Sequence, residues 1–300
     1  MTAQRVLVTA GTGTVGQHVV RELRDDVEVR VGTRRPQSVR EAGDSDSDSD
    51  EHVVEFDFAR PETWGAALDG VDATFLVRPP GVEQRQVTAF VDAASRVRVD
   101  HVVYLSTLGA DKNVLIPHHR IESHIQQSAV RSTFLRASFF TQNLHEVHGQ
   151  DVVEHDEIFV PAGSGETSFV DARDVAAVAA VVLTDDRHDK QAYDLTGPEA
   201  LRYDEVAAVF TDVLDRQITY ADPSIPAFVR RMLSRDLPLS YVLLMVGIYS
   251  TARFGFAGRV TDDVERLLGR PPRTVRDYVE DYRDRFEPAR TPAAAHSPER

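Results

Sequence analysis

Six residues near the amino terminus, Gly11-Thr12-Gly13-Thr14-Val15-Gly16, have the types and spacing to hold a phosphate. They directly follow the apolar run Arg5-Val6-Leu7-Val8-Thr9-Ala10 and lead into Val15, Val19 and Leu23, which share one face of a helix. A GxGxxG string between a strand and a helix lets backbone N–H groups approach a pyrophosphate at the positive end of the helix dipole. The phosphate loop of nucleotide hydrolases is excluded, since no Gly-Lys-Ser/Thr follows. The next apolar strand ends in Val31-Gly32-Thr33-Arg34-Arg35-Pro36. A dinucleotide with free ribose hydroxyls calls for Asp or Glu there, about 20 residues past the glycines. Two guanidiniums stand in that place instead, and they suit a 2′-phosphate, which arginine grips bidentately. The pattern predicts NADP(H) in preference to NAD(H).

The elements that must position these residues alternate. Apolar runs at 27–31, 52–56, 73–77, 101–106 and 132–136 read as strands after the first, with a helical stretch from Val82 to Val97. Alternating strands and helices predict an α/β fold, a doubly wound parallel sheet of the Rossmann type covered on both faces. The pattern becomes irregular after residue 150. The expected division is a dinucleotide-binding core over 1–155, with 167–187 packing back onto it. A smaller α/β substrate region over 156–288 and a disordered tail over 289–300 follow. Leu237 to Ala252 is the most apolar stretch, but its 16 residues include Pro238, Ser240 and Gly247. A membrane span needs about 20 residues, so the stretch is expected to be a buried or pocket-lining helix. Thr274 to Phe286, with Val275, Tyr278, Tyr282 and Phe286 at helical spacing, predicts a terminal amphipathic helix.

Composition narrows the function. The 300 residues carry 34 basic and 48 acidic side chains, a net charge of −14. That field repels phosphate backbones, so nucleic acid is not the expected partner. Only Lys112 and Lys190 are lysines. Acidic, lysine-poor chains resemble the proteins of extreme halophiles, where molar salt shortens the Debye length to about 3 Å and screens carboxylate repulsion. The acidic run Gly43–Glu51 reads as a solvated loop. There is no cysteine, which excludes disulfides, thiolate metal sites and a cysteine nucleophile and fits a reducing cytoplasm. The start runs straight into a strand, with no secretory signal pattern.

At this point the chain resembles the NmrA-like family of atypical short-chain dehydrogenase/reductases over roughly residues 4–288. The segments that carry the resemblance include VLVTAGTGTVGQHVV, HVVYLSTLGAD, HHRIESHIQQSAVRSTFLRASFFTQN and SFVDARDVAAVAAVVL. The resemblance implies that Thr12, Gly13, Thr14 and Val15 surround the pyrophosphate, with Arg34 on the 2′-phosphate. It implies Asp57 and Phe58 flanking the adenine, and Val77 and Arg78 near a ribose. It places Ser106 and Thr107 on the nicotinamide side, and Ser138, Phe139 and Phe140 along the nicotinamide and substrate pocket. His118 takes the position where relatives carry a histidine or lysine near the nicotinamide ribose. The chain departs from the family pattern at Ala10, where glycine is usual, and at Ala129.

The acid–base pair of typical short-chain dehydrogenases, Tyr-x-x-x-Lys, is absent: Leu108 and Asp186 stand four residues before the two lysines. Chemistries that need a tyrosinate beside a cation are disfavoured. Hydride donation to a quinone or similar small conjugated acceptor asks less, because the cofactor carries the chemistry. His118 is the catalytic candidate, either donating a proton or binding the ribose. His118, His119, Glu122 and His124 lack HExxH spacing, and no metal is expected. Tyr241 and Met245, in the apolar stretch, join Phe139 and Phe140 as candidate substrate contacts. The expectation is an NADPH-dependent reductase. The alternative is a non-catalytic NADP(H) sensor or assembly factor acting through a protein partner.

Overall fold

The computed structural model describes residues 4–23, 26–42 and 52–287. The acidic loop expected at 43–51 and the tail expected at 289–300 lie outside the described residues. The chain forms two compact units. One comprises Met1–Thr141, Ser168–Ala200 and Arg259–Thr274; the other comprises Gln142–Thr167, Leu201–Gly258 and Val275–Arg300.

The first unit is built on β1 (Arg5–Val8), α1 (Gly16–Leu23), β2 (Glu28–Thr33), α2 (Pro36–Ala42) and β3 (Val53–Glu55). It continues through α3 (Trp64–Leu68), β4 (Ala73–Val77), α4 (Gln84–Arg96), β5 (His101–Thr107), α5 (Pro117–Gln127) and β6 (Arg131–Ala137). With the strand Ala192–Leu195 at one edge, they form a seven-stranded sheet that runs outward through β6, β5, β4, β1, β2 and β3. Every neighbouring pair is parallel. This is the expected doubly wound arrangement. Winding reverses between β1 and β4, and ligands in such sheets bind where the strand order reverses, beyond the carboxyl ends. Thr9 stitches that place together: its hydroxyl donates to the Phe75 carbonyl at 3.0 Å and accepts from the Val77 N–H at 2.8 Å.

Both sheet faces are covered, which is why the strands are continuous apolar runs. On one side Val6, Val8, Phe75, Val103 and Leu135 pack with α1 and with the helix Ala172–Thr184. On the other, Leu7, Leu76, Val102 and Tyr104 pack with Trp64, Phe90 and Ile121 from α3, α4 and α5. The helix Ala172–Thr184 is capped by Asp171, which accepts from the Arg173 N–H at 2.8 Å. Asp174 in its first turn is fully buried, held by Arg270 at 2.8 Å and by the Arg273 N–H at 2.6 Å. That carboxylate ties the late segment Arg259–Thr274 into the first unit.

The second unit gathers the helices Tyr203–Leu214, Ile225–Leu233, Leu239–Arg253 and Val275–Asp281 around buried rings. Phe210 meets Phe286 edge-on at 4.8 Å, and Phe228 meets Tyr249 at 5.7 Å. Two expectations need correction here. The helix Leu239–Arg253 is not enclosed. It buries one stripe, Val242, Met245, Tyr249 and Ala252, while Leu239, Leu243, Leu244 and Ile248 are 41–56% exposed. Apolar composition runs all round this helix, but the unit covers only one side. The terminal helix is shorter than its pattern: an α-helix over Val275–Asp281 gives way to a 3₁₀ turn over Arg283–Phe286. The tighter turn swings Phe286 into the core.

Candidate functional site

The loops after β1 to β6 all leave the same carboxyl edge of the sheet, because all these strands run parallel in register. The glycine loop is folded tightly against its own strand. Gly11 donates its N–H to the Gly32 carbonyl at 3.2 Å, and Gly13 donates to the Ala10 carbonyl at 2.9 Å. A Cβ on Gly16 would stand 2.2 Å from the Ala10 carbonyl oxygen, and one on Gly11 would stand 2.7 Å from a methyl of Val31. Side chains are therefore excluded at both ends of the loop, while Thr12 and Gly13 at its crest are exposed. Ala10, where the family usually has glycine, adopts φ +52°, a left-handed conformation that costs an alanine about 1 kcal/mol.

Arg34 and Arg35 follow β2 and are both exposed. Asp57 follows β3 half-buried, with its carboxylate accepting from the Ala59 N–H at 2.8 Å. Phe58 beside it is turned inward, edge-on to Phe56 at 4.8 Å and to Phe90 at 5.6 Å. Its ring is spent in the core, so of this pair Asp57 is the one open to solvent. Val77 and Arg78 sit half-buried past β4.

At the end of β5, Thr107 is half-buried and Ser106 is buried, its hydroxyl donating to Glu122 of α5. Arg136 of β6 closes on the same carboxylate, with Nη2 at 2.7 Å and Nε at 3.1 Å. Glu122 was legible only as a possible metal ligand, and Arg136 not at all; neither has a motif, and the strand register brings them together.

Beyond β6, Ser138 and the Phe139–Phe140 strand are half-buried, with Phe139 edge-on to Phe169 at 5.6 Å. Tyr241 and Met245 belong to the second unit, where Tyr241 is half-buried and Met245 is 4% exposed, packed on the inner stripe of its helix.

The three histidines and the glutamate of α5 point to four different partners. His118 Nδ1 lies 2.8 Å from the Tyr104 hydroxyl, and His119 Nδ1 lies 2.8 Å from the Ala110 carbonyl. His124 Nε2 lies 2.7 Å from Asp92, and Glu122 faces Arg136. No metal-sized cluster forms among the described residues. Burial, with Arg78 second, pulls the His118 pKa down to about 4. Burial likewise pushes the Tyr104 phenol well above its ordinary range.

Arg78 Nε and Ser138 Oγ, both buried at this edge, have no hydrogen-bond partner among the described residues. Buried donors rarely stand unsatisfied without a reason. Together with the side-chain-free cradle at Gly11 and Gly16, they fit a dinucleotide along the carboxyl edge.

Fold and loop define a doubly wound protein of the NAD(P)-binding Rossmann class. The chain belongs to the NmrA-like family, whose model matches residues 2–266. It is 33% identical over 287 residues to an NAD(P)H azoreductase of Xenophilus azovorans, covering 94% of this chain and 99% of that one. It matches a structure of the NADPH-dependent quinone oxidoreductase of Escherichia coli complexed with NADPH at 25% identity. The TM-score is 0.80, with coverage of 92% and 99%. The fold is also that of the Citrobacter sp. triphenylmethane reductase complexed with NADP(H), at TM-score 0.80, 22% identity and coverage of 92% and 99%. No described helix is long and apolar enough to cross a membrane.

Proposed function

We propose that this protein is an NADPH-dependent reductase that passes hydride to a quinone, an azo compound or a similar small conjugated acceptor. The observation that carries the reading is the pair of unsatisfied buried atoms, Arg78 Nε and Ser138 Oγ, at the same sheet edge as the glycine cradle. The similarity to an azoreductase and a quinone oxidoreductase supports the acceptor class.

In this reading the backbone of Thr12 to Val15 and the amino end of α1 face the pyrophosphate. Arg34, with Arg35 next to it, takes the 2′-phosphate, since no carboxylate follows β2 to repel it. Asp57 lies toward the adenine. Val77 and Arg78 approach a ribose; Thr107, Ser138, Phe139 and Phe140 border the nicotinamide and the acceptor. Ser106 acts from behind, its hydroxyl already committed to Glu122. The reduced nicotinamide, when bound, supplies the hydride.

His118 works as a neutral hydrogen-bonding group. With its pKa near 4 it carries too little charge at pH 7 to be an efficient general acid. The proton that completes a two-electron reduction then comes from solvent.

NADPH oxidation followed against a panel of quinones and azo dyes, in molar KCl, tests the proposal. Turnover with at least one class is expected. Saturable NADPH binding with no turnover across the panel would overturn it in favour of a sensor acting on a protein partner.

A further inference from the structure

The ring of Tyr104 is fully buried in β5 and stacks on His118, with centroids 5.7 Å apart and planes 28° from parallel. Its hydroxyl has one hydrogen-bond partner among the described residues, His118 Nδ1 at 2.8 Å. That single contact has a direction. A buried phenol that cannot donate its proton is strongly disfavoured, because no water can replace the lost bond. If Nδ1 carried the imidazole hydrogen, the phenol would have to accept, and its own proton would point into the core without an acceptor. The reverse arrangement satisfies both groups: Tyr104 donates and Nδ1 accepts. A neutral imidazole has one hydrogen, so it must then sit on Nε2.

We infer that Tyr104 is a positioning residue that holds His118 as its Nε2–H tautomer, so that the imidazole offers the site a hydrogen-bond donor and not an acceptor. Nε2 makes no hydrogen bond within the protein among the described residues. Its complement is an oxygen acceptor, a ribose hydroxyl or the carbonyl-type oxygen of an electron acceptor. Arg78, whose Nε is also unsatisfied and whose charge acts on both Tyr104 and His118, adds a second donor of the same polarity. The arrangement does not depend on a charged imidazole, and the low pKa of His118 keeps it in the neutral, single-hydrogen form at pH 7.

The functional half of this inference rests on the reductase reading; the tautomer itself does not. In ¹⁵N-labelled protein at pH 7, long-range ¹H–¹⁵N spectra distinguish the two ring nitrogens. His118 is assigned by loss of its signals in His118→Gln. A bare Nδ1 and a protonated Nε2 are expected. In Tyr104→Phe, which removes one oxygen and keeps the ring, a shift toward mixed tautomers is expected. A native Nδ1–H form, or an unchanged spectrum in Tyr104→Phe, would overturn the inference whatever the protein catalyses.

Binding and kinetics identify the oxygen. A loss of NADPH affinity of about fivefold or more in Tyr104→Phe, with kcat held, marks a ribose hydroxyl. A comparable loss in kcat with NADPH affinity held marks the acceptor. In the His118→Gln background the Tyr104→Phe change is expected to add nothing, since it acts through the imidazole. An equal additional loss in that background would show that Tyr104 serves only the core and would reject its positioning role.

Discussion

Ser106 and Glu122 are joined by a 2.5 Å hydrogen bond that ties the end of β5 to the middle of α5. The carboxylate is 3% exposed and depends on Arg136 for its counter-charge. Removing one partner of a buried pair leaves the other charge uncompensated, which costs about 3–5 kcal/mol. Glu122→Ala is therefore expected to lower stability by that amount, read as a shift in urea midpoint. Glu122→Met combined with Arg136→Met is expected to recover most of it. A loss below about 1 kcal/mol in the single variant would show that Arg136 finds adequate charge in Asp111 and Asp194, 3.8 and 3.9 Å away.

Cofactor choice is testable at the end of β2. If Arg34 grips the 2′-phosphate as proposed, Arg34→Ala removes a charge-assisted contact worth about 1.5–3 kcal/mol. NADPH affinity is expected to fall more than tenfold in a fluorescence titration, with NADH affinity nearly unchanged. Equal losses for both nucleotides, or a native preference for NADH, would reject the 2′-phosphate assignment. Arg35→Ala is the next variant if Arg34→Ala has no effect.

The charge balance predicts a response to salt. A net −14 produces self-repulsion that is unscreened in dilute buffer and screened in molar KCl. Salt also weakens ion pairs such as Arg60–Glu62, but exposed pairs contribute only about 0–1 kcal/mol each. The repulsion is expected to dominate, and the melting temperature to rise from dilute buffer to molar KCl. A flat or falling curve would remove the halophilic reading.

Acid is expected to destabilise the fold well above the carboxylate range. Burial lowers His101, His118 and His148 to about 4, with Arg131 and Arg78 as secondary causes for the first two. In the unfolded chain these groups titrate near 6.5. Between pH 6.5 and 4 the unfolded state thus binds up to three more protons than the folded state, so stability falls as pH falls. Each histidine contributes a slope of up to about 1.4 kcal/mol per pH unit. Urea midpoints measured at pH 7, 6 and 5 check this. Equal values at all three would mean that the imidazoles are charged inside the fold.

How much of this was readable beforehand depends on the range of the interactions. The doubly wound sheet was legible because a strand covered on both faces must be apolar throughout, and β4 was read at its observed bounds, 73–77. The glycine loop was legible because its chemistry is local: Gly16 must lack a side chain when the backbone of Ala10 lies against it. The place of His118 at the start of α5 follows from its neighbour Pro117, which begins the helix.

Its partner was not. Tyr104 and His118 are 14 residues apart, in a strand and in a helix, and only the packing of α5 on β5 brings them to 2.8 Å. The same holds for Ser106, Glu122 and Arg136, which come from three elements and share no motif. Nor could periodicity show that Phe58 turns into the core, or that the apolar helix Leu239–Arg253 leaves one face exposed. Local sequence determines which residues favour burial and which can bend the backbone. How many faces are covered, and which polar groups meet once water is excluded, is decided by contacts between segments distant in the chain.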